Sequence, residues 1–314
     1  MSSGAKVLLT GASGFIGGQV LNNLLKTDYD VYALERYVTG RYVLGASRKV
    51  KTVYGDLREY ALVKKVIREI QPDYVLHIAA ISPVSYSYDH PFEVIDTNFN
   101  GTVNLAEACL NEAPNFKQFI FASTSETYGN GPVPRKEDTP QHPNSPYAVS
   151  KVSAEKYLRY LWDAYKFPVT ILRNFNTYGR KDNTHFVVER ITVQMLSGKE
   201  VRLGDPDPIR DLMYVDDHAN SYLTCLANKK AIGEIFNFCT GKGWLIKDLA
   251  EKIAIKTNYN NKIVWSTVPQ RPLDIQELVG DYSKANKLLG WSPKYDLDKG
   301  LDLTVDYWKK HMEK

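Results

Sequence analysis

The chain has 314 residues, 43% of them hydrophobic and 24% charged, with a formal net charge of +4 at pH 7. This length can bury a substantial core in one large α/β unit or in two unequal lobes, and the composition excludes a disordered or fibrous protein. The charge is small and Lys and Arg alternate with acidic residues, which argues against nucleic acid as a partner, while the mild positive excess suits an anionic small molecule.

Short apolar runs alternate with longer amphipathic runs through the first half of the chain. The runs at 7–9 and 74–76 lack polar alternation, which is typical of parallel strands covered by helices on both faces. Hydrophobic spacing predicts strands at 6–9, 31–34, 74–78, 118–122 and 169–172, and helices at 16–25, 61–70, 102–111 and 150–165. This order predicts an α/β fold with a doubly wound parallel sheet.

The alternation loosens after residue 176, where turn-rich stretches separate predicted helices near 188–196, 215–227 and 246–257. We interpret residues 1–176 as the sheet domain and residues 177–314 as a smaller C-terminal α/β lobe that mainly binds substrate. Open α/β sheets bind ligands at the carboxyl ends of their strands, so the lobe is expected to overhang that edge.

A glycine-rich loop follows the first predicted strand and opens the first predicted helix. Its pattern over residues 11–17 is GxxGxxG. Glycines there permit a tight turn, close approach of the backbone to a pyrophosphate and close helix packing, while the helix N-terminus attracts negative charge. The loop therefore predicts a Rossmann dinucleotide-binding domain, with cofactor contacts from Gly11, Gly14, Phe15, Ile16 and Gly17.

The end of the second predicted strand bears on the choice of cofactor. Glu35 lies about 20 residues beyond the loop, where a carboxylate accepts hydrogen bonds from the adenosine ribose and repels a 2′-phosphate, which favours NAD. Arg36 follows directly, and an Arg at this turn accommodates the phosphate of NADP, so both cofactors stay open. Asp56 and Leu57 follow a third strand, and Asp56 is placed to meet the adenine.

A tyrosine and a lysine four residues apart suggest redox chemistry at a hydroxyl group. Tyr147 and Lys151 share one face of a helix that begins near Pro146. A lysine ammonium lowers the pKa of a nearby tyrosine, and the phenolate then takes a proton from a sugar hydroxyl as hydride leaves its carbon. Ser123 and Thr124 end a predicted strand between this pair and the glycine loop, which strengthens the interpretation.

The remaining sequence signals concern location and cysteine chemistry. The start of the chain lacks the apolar stretch of a signal peptide, and no run reaches the roughly 18 apolar residues of a membrane helix, so we expect a cytoplasmic protein with no membrane partner. Cys109, Cys225 and Cys239 lie in separate apolar runs without ligand spacing. We expect buried thiols and no metal site.

These motifs together resemble those of the extended short-chain dehydrogenase/reductases, the NAD-dependent epimerase/dehydratase family. The similarity includes the glycine loop, 77–80, 98–104, 123–124, the Tyr147/Lys151 pair, 173–176 and 210–211. It implies that Tyr147 is the catalytic base, that Lys151 also holds the nicotinamide ribose, and that Thr124 hydrogen-bonds the substrate 4-hydroxyl. It implies a nucleotide-linked sugar as substrate, contacted by Ser82, and further cofactor contacts from Ala79, Ala80 and Asn98.

The residues after Thr124 are where members of this family differ in chemistry. The run 124–129 is similar to the signature of GDP-mannose 4,6-dehydratases, and the similarity continues at 186–192, 271–274 and 277–281. In such an enzyme C4 is oxidised, water is eliminated across C5 and C6, and hydride returns to C6. The elimination needs a base for the C5 proton and a proton source for the hydroxyl, which we assign to Glu126 and Ser125 as further catalytic residues.

Alternatives to the dehydratase stay open at this point. UDP-glucuronate decarboxylases resemble the chain at the same Thr-Ser-Glu, and UDP-sugar 4-epimerases share the other motifs but usually have small residues in place of Ser125 and Glu126. Reductases of 4-keto sugars are a further option, and a non-enzymatic dinucleotide sensor would generally lack the Tyr147/Lys151 pair. The chain is also shorter than typical GDP-mannose dehydratases and lacks their paired arginines at residues 35–37.

Candidates for the nucleotide end of the substrate lie downstream. The resemblance implies that Asn176 contacts the diphosphate and that Arg210 grips phosphate or nucleotide, which suits guanidinium geometry. Weaker candidates for the same role are Arg190, Arg202 and Arg271. His77 sits at a strand end beside the cofactor, so we predict a structural role for it. The resemblance also implies a homodimer, or a tetramer, through the helices at 102–111 and 150–165.

Overall fold

The structure is a computed structural model and describes residues 4–36, 50–179, 184, 186–267 and 272–312. Its strands are β1 (Lys6–Thr10), β2 (Asp30–Glu35), β3 (Val50–Tyr54), β4 (Tyr74–His77), β5 (Gln118–Thr124), β6 (Val169–Asn174), β7 (Asn176–Tyr178), β8 (Val201–Arg202), β9 (Ile209–Tyr214), β10 (Ile235–Phe238), β11 (Gly243–Leu245), β12 (Ile263–Val264) and β13 (Glu277–Leu278). Its α-helices are α1 (Phe15–Leu24), α2 (Tyr60–Ile70), α3 (Val84–Asp89), α4 (Pro91–Ile95), α5 (Gly101–Glu112), α6 (Pro146–Tyr165), α7 (Val187–Leu196), α8 (Val215–Cys225), α9 (Ile246–Thr257), α10 (Ser283–Leu289) and α11 (Leu297–Met312).

A seven-stranded sheet in the order β10-β6-β5-β4-β1-β2-β3 forms the centre of the molecule. Every pair of neighbours in it is parallel. The chain runs outward from β1 on one side and from β4 on the other, so the carboxyl ends of β1 and β4 flank the point where the strand order reverses. This is the doubly wound Rossmann architecture, and it confirms the predicted fold class.

Helices cover both faces of this sheet, as the continuous apolar strands predicted. One face buries side chains of α1 and α8 against β1 and β10. The other face buries side chains of α2, α5 and α6 against β4, β5 and β6. β10 and α8 belong to this core although they come after residue 176, so the chain returns to the sheet domain after entering the smaller lobe.

The smaller lobe surrounds a second core built from α7, α9 and α11. Its sheet pairs β9 with β11, β13 and β7, and β8 pairs separately with β12. β7 follows β6 after a single residue, so the lobe begins directly at the carboxyl edge of the central sheet. This connection places residues of β7 beside the carboxyl ends of the central strands.

The structure also bears on the cysteines and on membrane-spanning helices. The three cysteines are buried and free, which confirms their interpretation as core thiols. Over the residues that the structure describes, no helix is long and apolar enough to cross a membrane.

Candidate active site

The glycine loop turns tightly between β1 and α1. Gly11 has a φ of +75°, and a Cβ there would lie 2.8 Å from the backbone nitrogen of Ala79. A Cβ at Gly17 would strike the carbonyl oxygen of Gly11, and the Gly14 amide donates to that same oxygen at 3.0 Å. The ten-residue helix α1 begins directly afterwards at Phe15. This surface of bare backbone at a helix N-terminus fits a dinucleotide pyrophosphate.

The cofactor candidates at the ends of β2 and β3 lie close together. Glu35 is buried and accepts hydrogen bonds from the Ser13 amide at 3.0 Å and from the Ser13 hydroxyl, which ties it to the glycine loop. Asp56 accepts from Arg58, whose hydrogen bonds are the main cause that lowers the pKa of Asp56; the charge of Arg36 lowers it further. Arg58 is a second cation here that the sequence analysis missed.

The residues after β4 divide between lining the cleft and supporting it. Ala79, Ala80 and Ser82 line the cleft at the strand ends. Asn98 lies behind it, where its amide holds the backbone of Ile81 through bonds of 2.8 Å and 3.0 Å. The structure therefore gives Asn98 a supporting position, and the sequence pattern could not distinguish this from direct cofactor contact.

His77 lies in the same region with both ring nitrogens engaged. They meet the hydroxyl oxygens of Thr10 at 2.8 Å and of Thr102 at 2.9 Å. Burial, and to a smaller extent the charge of Lys151, lower the pKa of His77 to about 3, so the ring stays neutral. These contacts agree with the structural role that was predicted for it.

Tyr147, Lys151 and Thr124 meet at the carboxyl end of β5. Ser145 caps α6 by accepting from the Ala148 amide at 3.1 Å, so Tyr147 lies in the first turn. The Lys151 ammonium donates to the Ala122 carbonyl at 2.7 Å, and Thr124 hydrogen-bonds the Tyr147 phenol. All three side chains line the cleft.

Burial has the largest effect on the pKa values of Tyr147 and Lys151. It raises the pKa of Tyr147 to about 12; the Thr124 hydrogen bond opposes this rise, and the charge of Glu126 adds to it. Burial also lowers the pKa of Lys151 to about 7, against the opposite effect of Glu155. From the sequence, Lys151 was predicted to lower the pKa of Tyr147, but in the structure desolvation of the phenolate dominates.

Ser125 and Glu126 continue from β5 into a short 3-10 helix, Ser125–Tyr128. The Glu126 amide donates to the Thr124 hydroxyl at 3.2 Å, which caps this helix. Both side chains are buried, and both line the cleft beside Tyr147. A buried carboxylate is thus held in the cleft on the same side as Tyr147.

Among the candidates for the nucleotide end, Asn176 lines the cleft. Its Oδ1 is buried with no hydrogen-bond partner among the described residues, which suits a ligand donor. Arg210 on β9 lies behind, where its guanidinium bonds the Ile209 carbonyl at 3.0 Å and approaches Asp274 at 3.4 Å. Arg271 lies outside the described residues.

The structure places two other arginine candidates away from the cleft. Arg190 on α7 is exposed, and the residue before it, Glu189, lines the cleft instead. Arg202 is exposed on β8 and pairs with Glu200 at 3.0 Å. Charge alone marked these residues in the sequence, whereas the helical and strand faces that they occupy turn them outward.

Several residues lining the cleft were missed by the sequence analysis. Asn174 is the register partner of Thr124 across β5 and β6, so it stands at the same sheet edge. His218 and Tyr222 stack on each other on α8, and the His218 ring meets the Thr177 hydroxyl at 2.6 Å. Their spacing of four along a helix was a signal, but only tertiary contact shows that this face meets the cleft.

These side chains enclose a cleft of about 450 Å³ between the strand ends and the lobe. That volume lies within the usual range of small-molecule and cofactor sites. In the described part of the chain no group of three or more His, Cys, Asp or Glu residues could hold a metal ion. The arrangement suits acid/base chemistry next to a bound dinucleotide.

Comparison with a family model adds evidence along the chain. The model described as GDP-mannose 4,6 dehydratase matches residues 8–304. A UDP-glucose 4-epimerase from Lactobacillus helveticus is 30% identical, with 98% of this chain and 97% of that protein covered. The dTDP-glucose 4,6-dehydratase 1 of Escherichia coli K12 is 29% identical, with 96% and 92% covered.

A solved structure agrees with the fold over nearly its full length. The UDP-glucose 4-epimerase of Thermus thermophilus, in complex with NAD, matches with a TM-score of 0.88 and 31% identity. The match covers 97% of this chain and 99% of that one. The similarity therefore includes both the sheet domain and the smaller lobe.

Proposed function

The chain belongs to the GDP-mannose 4,6-dehydratase family within the extended short-chain dehydrogenase/reductases, and on this premise we propose that it is a nucleotide-sugar 4,6-dehydratase. Membership makes it an enzyme of the nucleotide-sugar epimerase/dehydratase class with a cofactor of the NAD(H) type. The observation that carries the dehydratase is the buried Glu126, which lines the cleft beside Tyr147 and Thr124.

The dinucleotide would lie along the carboxyl ends of the strands. Gly11, Gly14 and Gly17 would bear its pyrophosphate, Glu35 its adenosine ribose, and Lys151 its nicotinamide ribose. We favour NAD over NADP because Glu35 is buried at the position of the ribose hydroxyls, where its charge opposes a 2′-phosphate. When bound, the cofactor would act as a reversible two-electron oxidant.

The chain's own residues then transfer protons at three positions of the sugar: the 4-hydroxyl, C5 and the C6 hydroxyl. Thr124 orients the sugar 4-hydroxyl toward Tyr147, whose phenolate form accepts its proton as C4 is oxidised. The new 4-ketone acidifies the C5 proton, and Glu126 is positioned to remove it. Ser125 is the candidate to pass a proton to the C6 hydroxyl, so that it departs as water. The proton that Tyr147 took from the 4-hydroxyl balances the proton in this water, and the proton held by Glu126 returns to C5 when hydride returns to C6. Burial of these side chains excludes bulk water, which protects the unsaturated sugar until the reaction is complete.

The substrate we propose is a nucleoside diphosphate sugar with free hydroxyls at C4 and C6. Asn176, at the start of the lobe, offers its buried and unpartnered Oδ1 to a hydrogen-bond donor of this ligand. The sequence signature at 124–129 favours GDP-mannose among such sugars. The names of the relatives point instead to UDP-glucose and dTDP-glucose, so the test includes all three.

A 4-epimerase is the second candidate, and the similarity to UDP-glucose 4-epimerases favours it. An epimerase must let its 4-keto intermediate rotate so that the opposite face meets the cofactor. A buried carboxylate beside the sugar reduces the room for that rotation, which is why we rank this candidate second.

The test is incubation with GDP-mannose, UDP-glucose, dTDP-glucose, UDP-N-acetylglucosamine and UDP-glucuronate, each with NAD⁺ or NADP⁺, followed by mass spectrometry in ordinary and heavy water. A dehydratase product lacks one water and, in heavy water, carries one deuterium at C5. A product of unchanged mass with inverted C4 would replace this proposal with the epimerase, and loss of carbon dioxide would replace it with the decarboxylase.

We also propose a homodimer, whose interface includes α6. Val149 and Tyr160 on this helix are exposed apolar side chains, and Phe92 on the nearby α4 is 90% exposed. Exposed aromatic side chains on adjacent helices are typical of an interface. Light scattering should give the mass of two chains, and the mass of one chain would refute the dimer.

A further inference from the structure

The helix that carries the redox pair bears a third ionisable residue on the same face. Tyr147, Lys151 and Glu155 follow each other at intervals of four residues along α6. Glu155 is 2% exposed, like Lys151, and lies one turn further along α6. It is absent from the lining of the cleft, so any influence on the reaction must pass through other residues.

The Glu155 carboxylate has hydrogen bonds from three side chains on separate segments. Its oxygens accept from Arg173 on β6, with Nη2 at 2.6 Å and Nε at 3.0 Å and 3.2 Å. Gln141 donates to it at 2.8 Å, and the Ser123 hydroxyl at the end of β5 donates to it as well. Arg173 is also buried, so this is an internal ion pair with its charges satisfied.

The same ion pair reaches the other end of the segment that carries the catalytic candidates. Arg173 Nη1 donates to the Tyr128 phenol at 3.0 Å, and that phenol donates to Asn237 at 2.7 Å. Ser123 and Tyr128 therefore anchor both ends of residues 124–127 to one buried pair. This segment contains all three candidates that face Tyr147 from the sheet side: Thr124, Ser125 and Glu126.

Electrostatics connects the pair to Lys151. Burial lowers the pKa of that ammonium, and Glu155 is the group that raises it again. Tyr147 lies on the same helix as Lys151, the Lys151 charge lowers the pKa of His77 on β4, and Arg173 on β6 pairs with Glu155. His77 stays neutral. If Glu155 were removed, Arg173 and Lys151 would remain as buried cations without the negative charge of its carboxylate.

We propose that Glu155 is a positioning residue that locks the segment 124–127 against α6 and keeps Lys151 in its ammonium form. It thereby couples the two halves of the active site, one on the end of β5 and the other on α6. This role rests on the proposed function only in so far as Tyr147 and Lys151 assist the transfer of hydride from C4 to the bound dinucleotide, a step that dehydratases and epimerases share.

The first experiment measures the pKa of Lys151 directly and needs no substrate. In protein labelled at the lysine side chains, NMR titration follows the Lys151 resonance, which is identified by its loss in Lys151→Arg. Glu155→Gln should lower the pKa of Lys151 by about one unit or more, because a close opposite charge has effects of that size. Glu155→Asp should restore it in part, and Asp163→Asn, which alters an exposed residue of the same helix, should leave it unchanged.

The second experiment tests the anchors separately and also decides the matter if Glu155→Gln fails to fold. Ser123→Ala and Tyr128→Phe each cut one anchor and leave the ion pair intact. Each should lower kcat for the best sugar nucleotide about tenfold, with KM within about twofold, because the anchors orient reacting groups more than they bind substrate.

The outcomes separate this role from the proposed function. An unmoved Lys151 pKa in folded Glu155→Gln, or wild-type kcat in both anchor variants, would overturn the positioning role. A product with inverted C4 and unchanged mass would overturn the dehydratase, while the effects on Lys151 and on kcat would still stand.

Discussion

Glu126→Gln is the change that most directly tests the elimination chemistry. The glutamine keeps the size of a buried side chain that lines the cleft but cannot accept the C5 proton. Positioned acid/base groups contribute about 10² to 10⁴ in rate. We therefore expect dehydration to slow by that factor, which equals about 3 to 5 kcal/mol in the barrier.

The oxidation of C4 should survive in the same variant, with a predictable change in its pH dependence. The Glu126 charge raises the pKa of Tyr147, so its removal lowers that pKa. Tyr147 then ionises at lower pH, and oxidation should reach a given rate at a lower pH than in the wild type. Burial remains the largest cause of the raised pKa, so the shift is partial.

The assay is a single turnover with stoichiometric cofactor, in which absorbance reports reduced cofactor and mass spectrometry reports product. Glu126→Gln should accumulate the reduced cofactor without loss of water, and Glu126→Asp, which keeps a carboxylate, should recover part of the elimination. Dehydration at the wild-type rate in Glu126→Gln would refute the assignment of this residue as the base.

Four further predictions address other parts of the site. Tyr147→Phe removes the group that is proposed to accept the 4-hydroxyl proton, so turnover should fall at least about 100-fold, while titration should show that cofactor affinity is retained. Gly17→Ala puts a methyl group against the Gly11 carbonyl, so NAD titration should show weaker binding. Thermal unfolding should show that the free energy of unfolding falls by about 1–3 kcal/mol. Glu35→Gln removes the charge opposed to a 2′-phosphate, so the ratio of NADP to NAD affinity should rise about tenfold, and an unchanged ratio would contradict this role. Val149→Asp places a charge on an exposed apolar position of α6 and should shift the chain toward monomer in light scattering.

Elements of the fold that depend on local pattern were predictable from the sequence. The helix expected at 246–257 has those bounds in the structure, and the helix expected at 102–111 is Gly101–Glu112. The strand expected at 118–122 continues to Thr124. Apolar periodicity and caps act over a few residues, so the sequence contains the information that fixes these bounds.

Features that depend on distant contacts were not predictable in this way. β10 joins the central sheet by pairing Ile235 with Ile171, and nothing in a short apolar run shows which sheet it enters. Arg202 was a phosphate candidate by charge, but the short strand that carries it turns it to solvent. Tyr147 was expected to have a lowered pKa, whereas its burial, a tertiary property, raises it.

The proton balance of the two candidate reactions explains why overall similarity does not choose between them. An epimerase returns to the sugar oxygen the proton that Tyr147 removed, so the tyrosine is reset at the end of each turnover. A dehydratase releases a 4-keto sugar, and that proton must leave with the C6 hydroxyl as water or pass to solvent. Both reactions need the same machinery for C4 oxidation, which agrees with 30% identity to an epimerase and 29% to a dehydratase. The extra proton transfers of the dehydratase require further groups beside Tyr147, and Ser125 and Glu126 are the buried side chains that stand there.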